Sequence, residues 1–174
     1  MSNLHQPPPR LHLASRSPRR RELLKQIGIP FEMLPFRSSP RSDPALDETP
    51  FPGEDPRAYV ERIARNKAEF GSRIVSCRRL PNHAVLAADT TLDLDGQLIG
   101  KPHDSPDAEE ILARLSGRTH RVLTAVALAV CGHLELRLSI SEVRFRELAT
   151  EEIRRYVASG DPMDKAGAYG IQGR

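Results

Sequence analysis

The sequence has few of the features that mark secreted, metal-clustered or membrane proteins. Its two cysteines, Cys77 and Cys131, do not have the spacing of metal ligands. We expect both to be reduced, and we interpret Cys131, which lies in an apolar run, as a small hydrophobic residue. No apolar stretch approaches the ~18 residues of a membrane span, and the N-terminus lacks a hydrophobic signal region. These absences predict a cytoplasmic protein with no membrane partner.

Aromatic residues and excess charge are also scarce. Aromatics make up 5% of the chain and tryptophan is absent, so the core is expected to consist mostly of Leu, Ile, Val and Ala. A length of 174 residues fits one domain, or two lobes that share a sheet. The net charge of +3 suits an anionic ligand but is too small to require nucleic acid. We therefore expect no nucleic-acid partner.

Local patterns divide the chain into a short lead-in and one folded region. Residues 1–10 include three successive prolines and are predicted to be a disordered N-terminal segment. Periodicity and turn residues then predict an alternation of strands and helices. Outside the segments discussed below, strands are predicted at 11–14, 31–36, 121–131 and 134–145, and helices at 105–115 and 151–159.

The central segment combines a buried acid with a returning base. Residues 84–88 form an apolar run that predicts a buried strand ending at Asp89. Further along, Asp95 and Gly96 lie between alternating apolar residues, which is a strong hairpin signal. A tight hairpin would bring Lys101 back toward Asp89. This combination indicates a site for a polyanion.

A second basic group lies at a predicted helix start. Ser17 is expected to be the N-cap and Pro18 the first helical residue, which places Arg19 and Arg20 in the first turn. The helix macrodipole disfavours cations there unless an anion is present. With Ser15 and free backbone N–H groups, this strand–loop–helix junction fits a phosphate. The alternative is a basic turn whose arginines project into water.

Three other polar residues leave alternatives open. A helix capped by Asp55 is predicted to run to about Phe70, and Lys67 lies on its inward stripe. This lysine either extends to the rim or neutralises an anion in a polar cleft. Glu48 lies in a proline-rich loop, where an exposed carboxylate is the simpler interpretation. His120 is expected to be a surface histidine at a strand end.

Several short motifs, taken together and in order, resemble the Maf family of nucleoside triphosphate pyrophosphatases. They are Leu13–Leu24, Asp47–Thr49, Ala87–Thr90, Gly100–Pro102, Ser116–His120 and Asp164–Gly173. The resemblance implies an α/β fold of the inosine triphosphatase class (Maf/Ham1). Such a fold is an elongated mixed sheet flanked by helices, with two lobes, a central cleft and usually a homodimer. Because the family continues past the last motif, 11–174 is expected to be a single Maf-like domain lacking the usual C-terminal strand and helix.

The resemblance also implies a reaction. Family members hydrolyse a nucleoside triphosphate to the monophosphate and pyrophosphate with a divalent cation, Mg²⁺ or Mn²⁺. The motifs look like those of the branch that acts on dTTP and UTP, including modified pyrimidine nucleotides. The alternatives are a 7-methyl-GTP pyrophosphatase and a nucleotide-binding regulator of septum formation that does not hydrolyse its ligand.

Site residues follow from the same resemblance. Asp89 resembles the general base, Glu48 the second acidic contributor, and both are candidate metal ligands. Lys67 and Lys101 resemble the phosphate-binding lysines. Ser15 and Arg20 look like triphosphate contacts. The positions that sort the subfamilies by base preference are Arg19, Thr90 and Gln172.

Overall fold

The structure of the chain, a computed structural model, describes residues 10–34 and 47–171. The strands are β1 Leu11–Leu13, β2 Phe31–Met33, β3 Ala84–Leu94, β4 Gln97–Ile99, β5 Thr119–Val130 and β6 His133–Arg144. The helices are α1 Pro18–Gln26, α2 Pro56–Cys77, α3 Ser105–Leu115 and α4 Thr150–Ala158. Two 3₁₀ turns, Asp161–Asp164 and Ala166–Ala168, follow α4. The predicted lead-in lies outside the described residues except for its last residue.

The strands form a mixed six-stranded sheet with helices around it. The strand order is β2-β1-β3-β5-β6, and β4 pairs with β3. Strand β1 is parallel to both β2 and β3, whereas β3 and β4 form an antiparallel hairpin. The predicted α/β class with a mixed sheet flanked by helices is therefore confirmed.

The chain divides into two compact units, and the first has its own core. This unit comprises residues 1–49, 61–89 and 125–137. Its buried apolar residues include Leu13, Leu34, Ile63 and Val85. Most of helix α2 belongs to this unit, and it packs closely on β3 because Gly71 has no side chain. A Cβ at that position would lie 2.7 Å from Val85 Cγ1.

The second unit comprises residues 50–60, 90–124 and 138–174. Its core joins the end of β3 to helices α3 and α4. The buried members of this cluster include Leu92, Leu94, Ile99, Ile111, Leu112, Leu115, Ile153 and Val157. In the part of the chain that the structure describes, no helix is long and apolar enough to cross a membrane.

Two element ends lie well beyond the predicted ones, whereas β2 ends at Met33, before the predicted end at 36, and residues 35 and 36 lie outside the described ones. Helix α2 continues past Phe70 to Cys77, because Gly71 is a close-packing position and the added turns bury Val75. Strand β3 continues past Asp89 to Leu94. A strand can include the polar residues within 89–93 because their side chains have partners. For example, the Thr91 hydroxyl donates to the Ile99 carbonyl at 3.2 Å. Asp89 therefore lies within the strand and not at its end.

Other differences concern single residues. Cys131 is exposed, because the apolar run ends at Val130 and Cys131 forms the turn with a positive φ of 49°. Both cysteines are free thiols. His120 does lie at a strand end, but it is buried, and its Nε2 is 2.7 Å from the Tyr169 hydroxyl. Helix α4 begins at Thr150, one residue before the predicted start at 151.

We predict that Gly71→Ala destabilises the protein although alanine is the better helix former. The new methyl group would crowd Val85, and overpacking typically costs about 1–3 kcal/mol. Thermal unfolding measures the effect as a lower Tm.

The control is Ser76→Ala on the exposed side of the same helix, which should leave the Tm unchanged or raise it slightly. Adding Val85→Ala to Gly71→Ala should recover part of the loss, because it removes the crowded methyl group. A Tm for Gly71→Ala equal to or above that of the wild type would contradict the packing argument.

Candidate active site

Asp89 is a buried carboxylate in the first unit. It lies on β3, and only 8% of the residue is exposed. Burial raises the pKa of its carboxyl above the ordinary value, and the Lys67 ammonium opposes this shift only in part. A carboxylate that holds a proton more tightly than usual is a better base than an exposed aspartate.

Lys67 connects Asp89 to a second carboxylate. Its Nζ lies 2.8 Å from Asp89 Oδ1 and 2.7 Å from Glu48 Oε1. The side chain comes from α2 and is 14% exposed, so it turns inward and does not extend to the rim. Glu48 is about half exposed but is paired with Lys67, which favours the site interpretation over that of a simple surface carboxylate.

The start of α1 supplies the basic groups, as predicted. The helix begins at Pro18, which places both arginines in its first turn. Ser15 is buried, and its hydroxyl accepts hydrogen bonds from the Ser17 N–H and from Arg20 Nη1, both at 3.2 Å. Ser17 occupies the N-cap position but makes no side-chain cap. The hydroxyl that organises this turn is thus that of Ser15.

Arg20 interacts electrostatically with the carboxylates of Asp89 and Glu48. Burial lowers the pKa of its guanidinium, the charges of Asp89 and Glu48 act in the opposite direction, and Arg19 adds to the lowering. The first unit therefore brings together six of the predicted site residues. They are Ser15, Arg19, Arg20, Glu48, Lys67 and Asp89.

Of the other three predicted residues, the structure describes two. Thr90 and Lys101 belong to the second unit. The Thr90 hydroxyl lies 3.1 Å from that of Thr124 on β5, and Lys101 is exposed just after β4. Gln172 lies outside the described residues. The roles of these three residues stay predictions.

Sequence reasoning missed two residues that contact a predicted site residue or the residue next to one. Thr124 pairs with Thr90, and Arg62 on α2 donates from Nη2 to the Thr49 carbonyl at 3.2 Å. Neither contact has a local signature, because each joins segments far apart in the chain. A weak signal was available in Asp47, two residues before Thr49, since this spacing is typical of a side-chain-capped turn.

Two carboxylates beside a lysine suit a hard divalent cation. Within residues 10–34 and 47–171 there is no group of three or more His, Cys, Asp or Glu side chains that could hold a metal alone. Mg²⁺ does not need such a group, because it commonly uses one or two carboxylates together with substrate phosphates and water. Asp89 and Glu48 therefore fit a cation that binds with its phosphate ligand.

Known proteins resemble this chain over most of its length. Residues 10–174 match the family described as Maf-like protein. The dTTP/UTP pyrophosphatases of Aromatoleum aromaticum and Dechloromonas aromatica are each 65% identical to it over 95% of this chain, and the matches cover 81% and 82% of those proteins. That of Nitrosomonas europaea is 52% identical over 94% of this chain and 79% of its own length.

Among solved structures, the Ham1 protein of Staphylococcus aureus has a similar fold. The TM-score is 0.51 with 15% sequence identity, covering 78% of this chain and 71% of that one. At this identity the likeness concerns the fold alone, and it confirms the predicted inosine triphosphatase class. With this fold and with the sequence match over residues 10–174, the chain belongs to the Maf family.

Proposed function

We propose that this protein is a nucleoside triphosphate pyrophosphatase that hydrolyses dTTP and UTP, and modified pyrimidine nucleotides, to the monophosphate and pyrophosphate. The observation that carries the proposal is the buried Asp89 carboxylate bound to Lys67 in the same unit as the arginines of α1. Relatives that are 50–65% identical over most of the chain are named dTTP/UTP pyrophosphatase, which supports the same substrates.

Asp89 acts as the general base in this proposal. Its carboxylate accepts a proton from water, whose oxygen forms a new bond to phosphorus while the bond between the α and β phosphates breaks. The bridging oxygen leaves with the other phosphoryl group. Because burial raises the pKa of Asp89, the ionised carboxylate is a stronger base than an exposed one.

The cationic side chains bind and orient the triphosphate. Lys67 and Arg20 are within the electrostatic reach of Asp89, and a polyanion would give them additional partners. Ser15 and Arg20 would bind phosphate at the start of α1, and Lys101 would add a further ammonium. A divalent cation, Mg²⁺ or Mn²⁺, held by Asp89 and Glu48 would neutralise charge on the phosphate oxygens.

Selection of the base is a separate role from binding of the triphosphate. We propose Arg19, Thr90 and Gln172 for this role, on the resemblance of their motifs to the dTTP and UTP branch. We also propose a homodimer, on the resemblance to the Maf family, and a cytoplasmic location, as the sequence analysis predicts. Light scattering after size-exclusion chromatography measures the oligomeric state directly.

The test of the proposed function is pyrophosphate release from dTTP, UTP, CTP and 7-methyl-GTP, with and without Mg²⁺. We expect metal-dependent turnover that is fastest with dTTP and UTP. Fastest turnover with 7-methyl-GTP would assign the protein to the other branch. Tight nucleotide binding without any turnover would favour a regulatory protein.

We predict that Asp89→Asn lowers kcat by about 10²–10⁴-fold, because a positioned general base contributes that much. The fold should persist. Burial raises the pKa of Asp89 above its unfolded value, so its contribution to stability is full at low pH and is lost as the pH rises through the folded pKa. At pH 7 the variant is therefore expected to have an equal or higher Tm.

Glu69→Gln, at an exposed position on α2, is the matched control and should change neither kcat nor Tm. Unchanged pyrophosphate release by Asp89→Asn would remove Asp89 from the mechanism.

We also predict a characteristic acid limb in the pH profile of kcat/KM. Turnover requires ionised Asp89, so activity should fall below a pKa that lies above the ordinary aspartate value. Because Lys67 lowers the pKa of Asp89, Lys67→Met should move the limb to higher pH as well as slowing the reaction. Lys67→Arg retains the positive charge and should keep the limb near its original position. A limb that stays in place or moves to lower pH in Lys67→Met would argue against this assignment.

A further inference from the structure

Glu48 reaches Lys67 from a short segment whose backbone is held on both sides of one residue, Thr49. The Thr49 N–H donates to Asp47 Oδ1 at 2.9 Å, which closes a side-chain-capped turn around Glu48. The carbonyl of the same residue, Thr49, accepts from Arg62 Nη2 at 3.2 Å. Both backbone polar groups of Thr49, the residue after Glu48, therefore help to fix the segment.

Helix α2 holds this segment at two points. Arg62 binds its backbone, and Lys67, five residues further along the same helix, binds its carboxylate. A rise of 1.5 Å per residue separates these positions by about 7.5 Å along the helix axis. Helix α2 therefore contacts both the backbone next to Glu48, through Arg62, and the Glu48 carboxylate, through Lys67.

The ion pair alone is a weak restraint on the segment. Glu48 is 47% exposed, and ion pairs that are open to solvent contribute little because water screens them and the long side chains lose freedom. The Lys67 side chain is only 14% exposed, but the carboxylate that it binds is much more open to solvent. The hydrogen bond from Arg62 to the Thr49 carbonyl is also exposed, but it gives the segment a second attachment to α2.

We propose that Arg62 is a positioning residue for the pyrophosphatase reaction, because it holds the Asp47–Thr49 turn on α2 and thereby places the Glu48 carboxylate. This inference rests on the proposed function. The Arg62 side chain contacts the backbone of the turn and affects the reaction through Glu48. The charge of Arg62 also favours the ionised form of Asp47, whose pKa is lowered mainly by its hydrogen bonds with Thr49.

The experiment compares Arg62→Met with Arg65→Met, which removes the same charge from an exposed position one turn along the helix. We expect kcat for dTTP to fall about 10-fold in Arg62→Met, the lower end of the range for outer-shell partners of a site, and to stay unchanged in Arg65→Met. The decisive variant is Glu48→Gln combined with Arg62→Met. If Arg62 acts through Glu48, the double variant should be as slow as Glu48→Gln alone.

A purely structural role gives a different result. In that case the effects of Arg62→Met and Glu48→Gln on kcat would multiply, because residues that act independently contribute additively in free energy. Multiplying effects, or equal rates for Arg62→Met and Arg65→Met, would overturn the proposal.

Hydrogen exchange supplies a readout that does not depend on turnover. The Thr49 amide should exchange at least several-fold faster in Arg62→Met than in the wild type or in Arg65→Met, because the turn loses its anchor on α2. Unchanged exchange would overturn the positioning role even if kcat falls. If the wild type hydrolyses none of the nucleotides, the proposed function fails by itself, and the exchange rates alone then decide whether Arg62 holds the turn.

Discussion

The ammonium of Lys67, shared between two carboxylates, is the interaction on which the candidate site depends. A carboxylate as deeply buried as that of Asp89 is costly to keep ionised without a cation or a hydrogen-bond donor beside it. One ammonium can neutralise only one of its two partners, so the three groups together retain a negative charge. The first unit therefore presents an acidic group suited to a cation and a basic helix start suited to phosphate.

Burial of the charged groups of Asp89 and Arg20 lowers the stability of the folded protein. Burial disfavours the ionised forms of both Asp89 and Arg20, which shifts their pKa values toward neutrality from opposite sides. Replacing such groups by apolar residues of similar volume is often neutral or stabilising in other proteins. Their presence in one unit is a cost that selection accepts where activity needs it. A ligand that carries both phosphates and a metal ion would offset the cost by supplying opposite charges to both.

Local chemistry predicted the elements, and tertiary contacts decided their lengths. The start of α1 and the hairpin at Asp95 were predictable because the turn residues themselves favour these conformations. The continuation of β3 beyond Asp89 and of α2 beyond Gly71 depends on partners elsewhere in the chain, which no local pattern reveals. Lys67 is 22 residues from Asp89, so their contact became predictable only through the resemblance of the motifs to a known family.

The close packing at Gly71 restricts where α2 can change in length during evolution. Gly71 must face β3, and Lys67 lies one helical turn before it with its charge directed at Asp89. Inserting or deleting a single residue between them would rotate one relative to the other by about 100°. Either Gly71 would no longer face β3, or the Lys67 ammonium would no longer contact the Asp89 carboxylate. The number of residues between Lys67 and Gly71 is therefore expected to stay constant among descendants of this sequence.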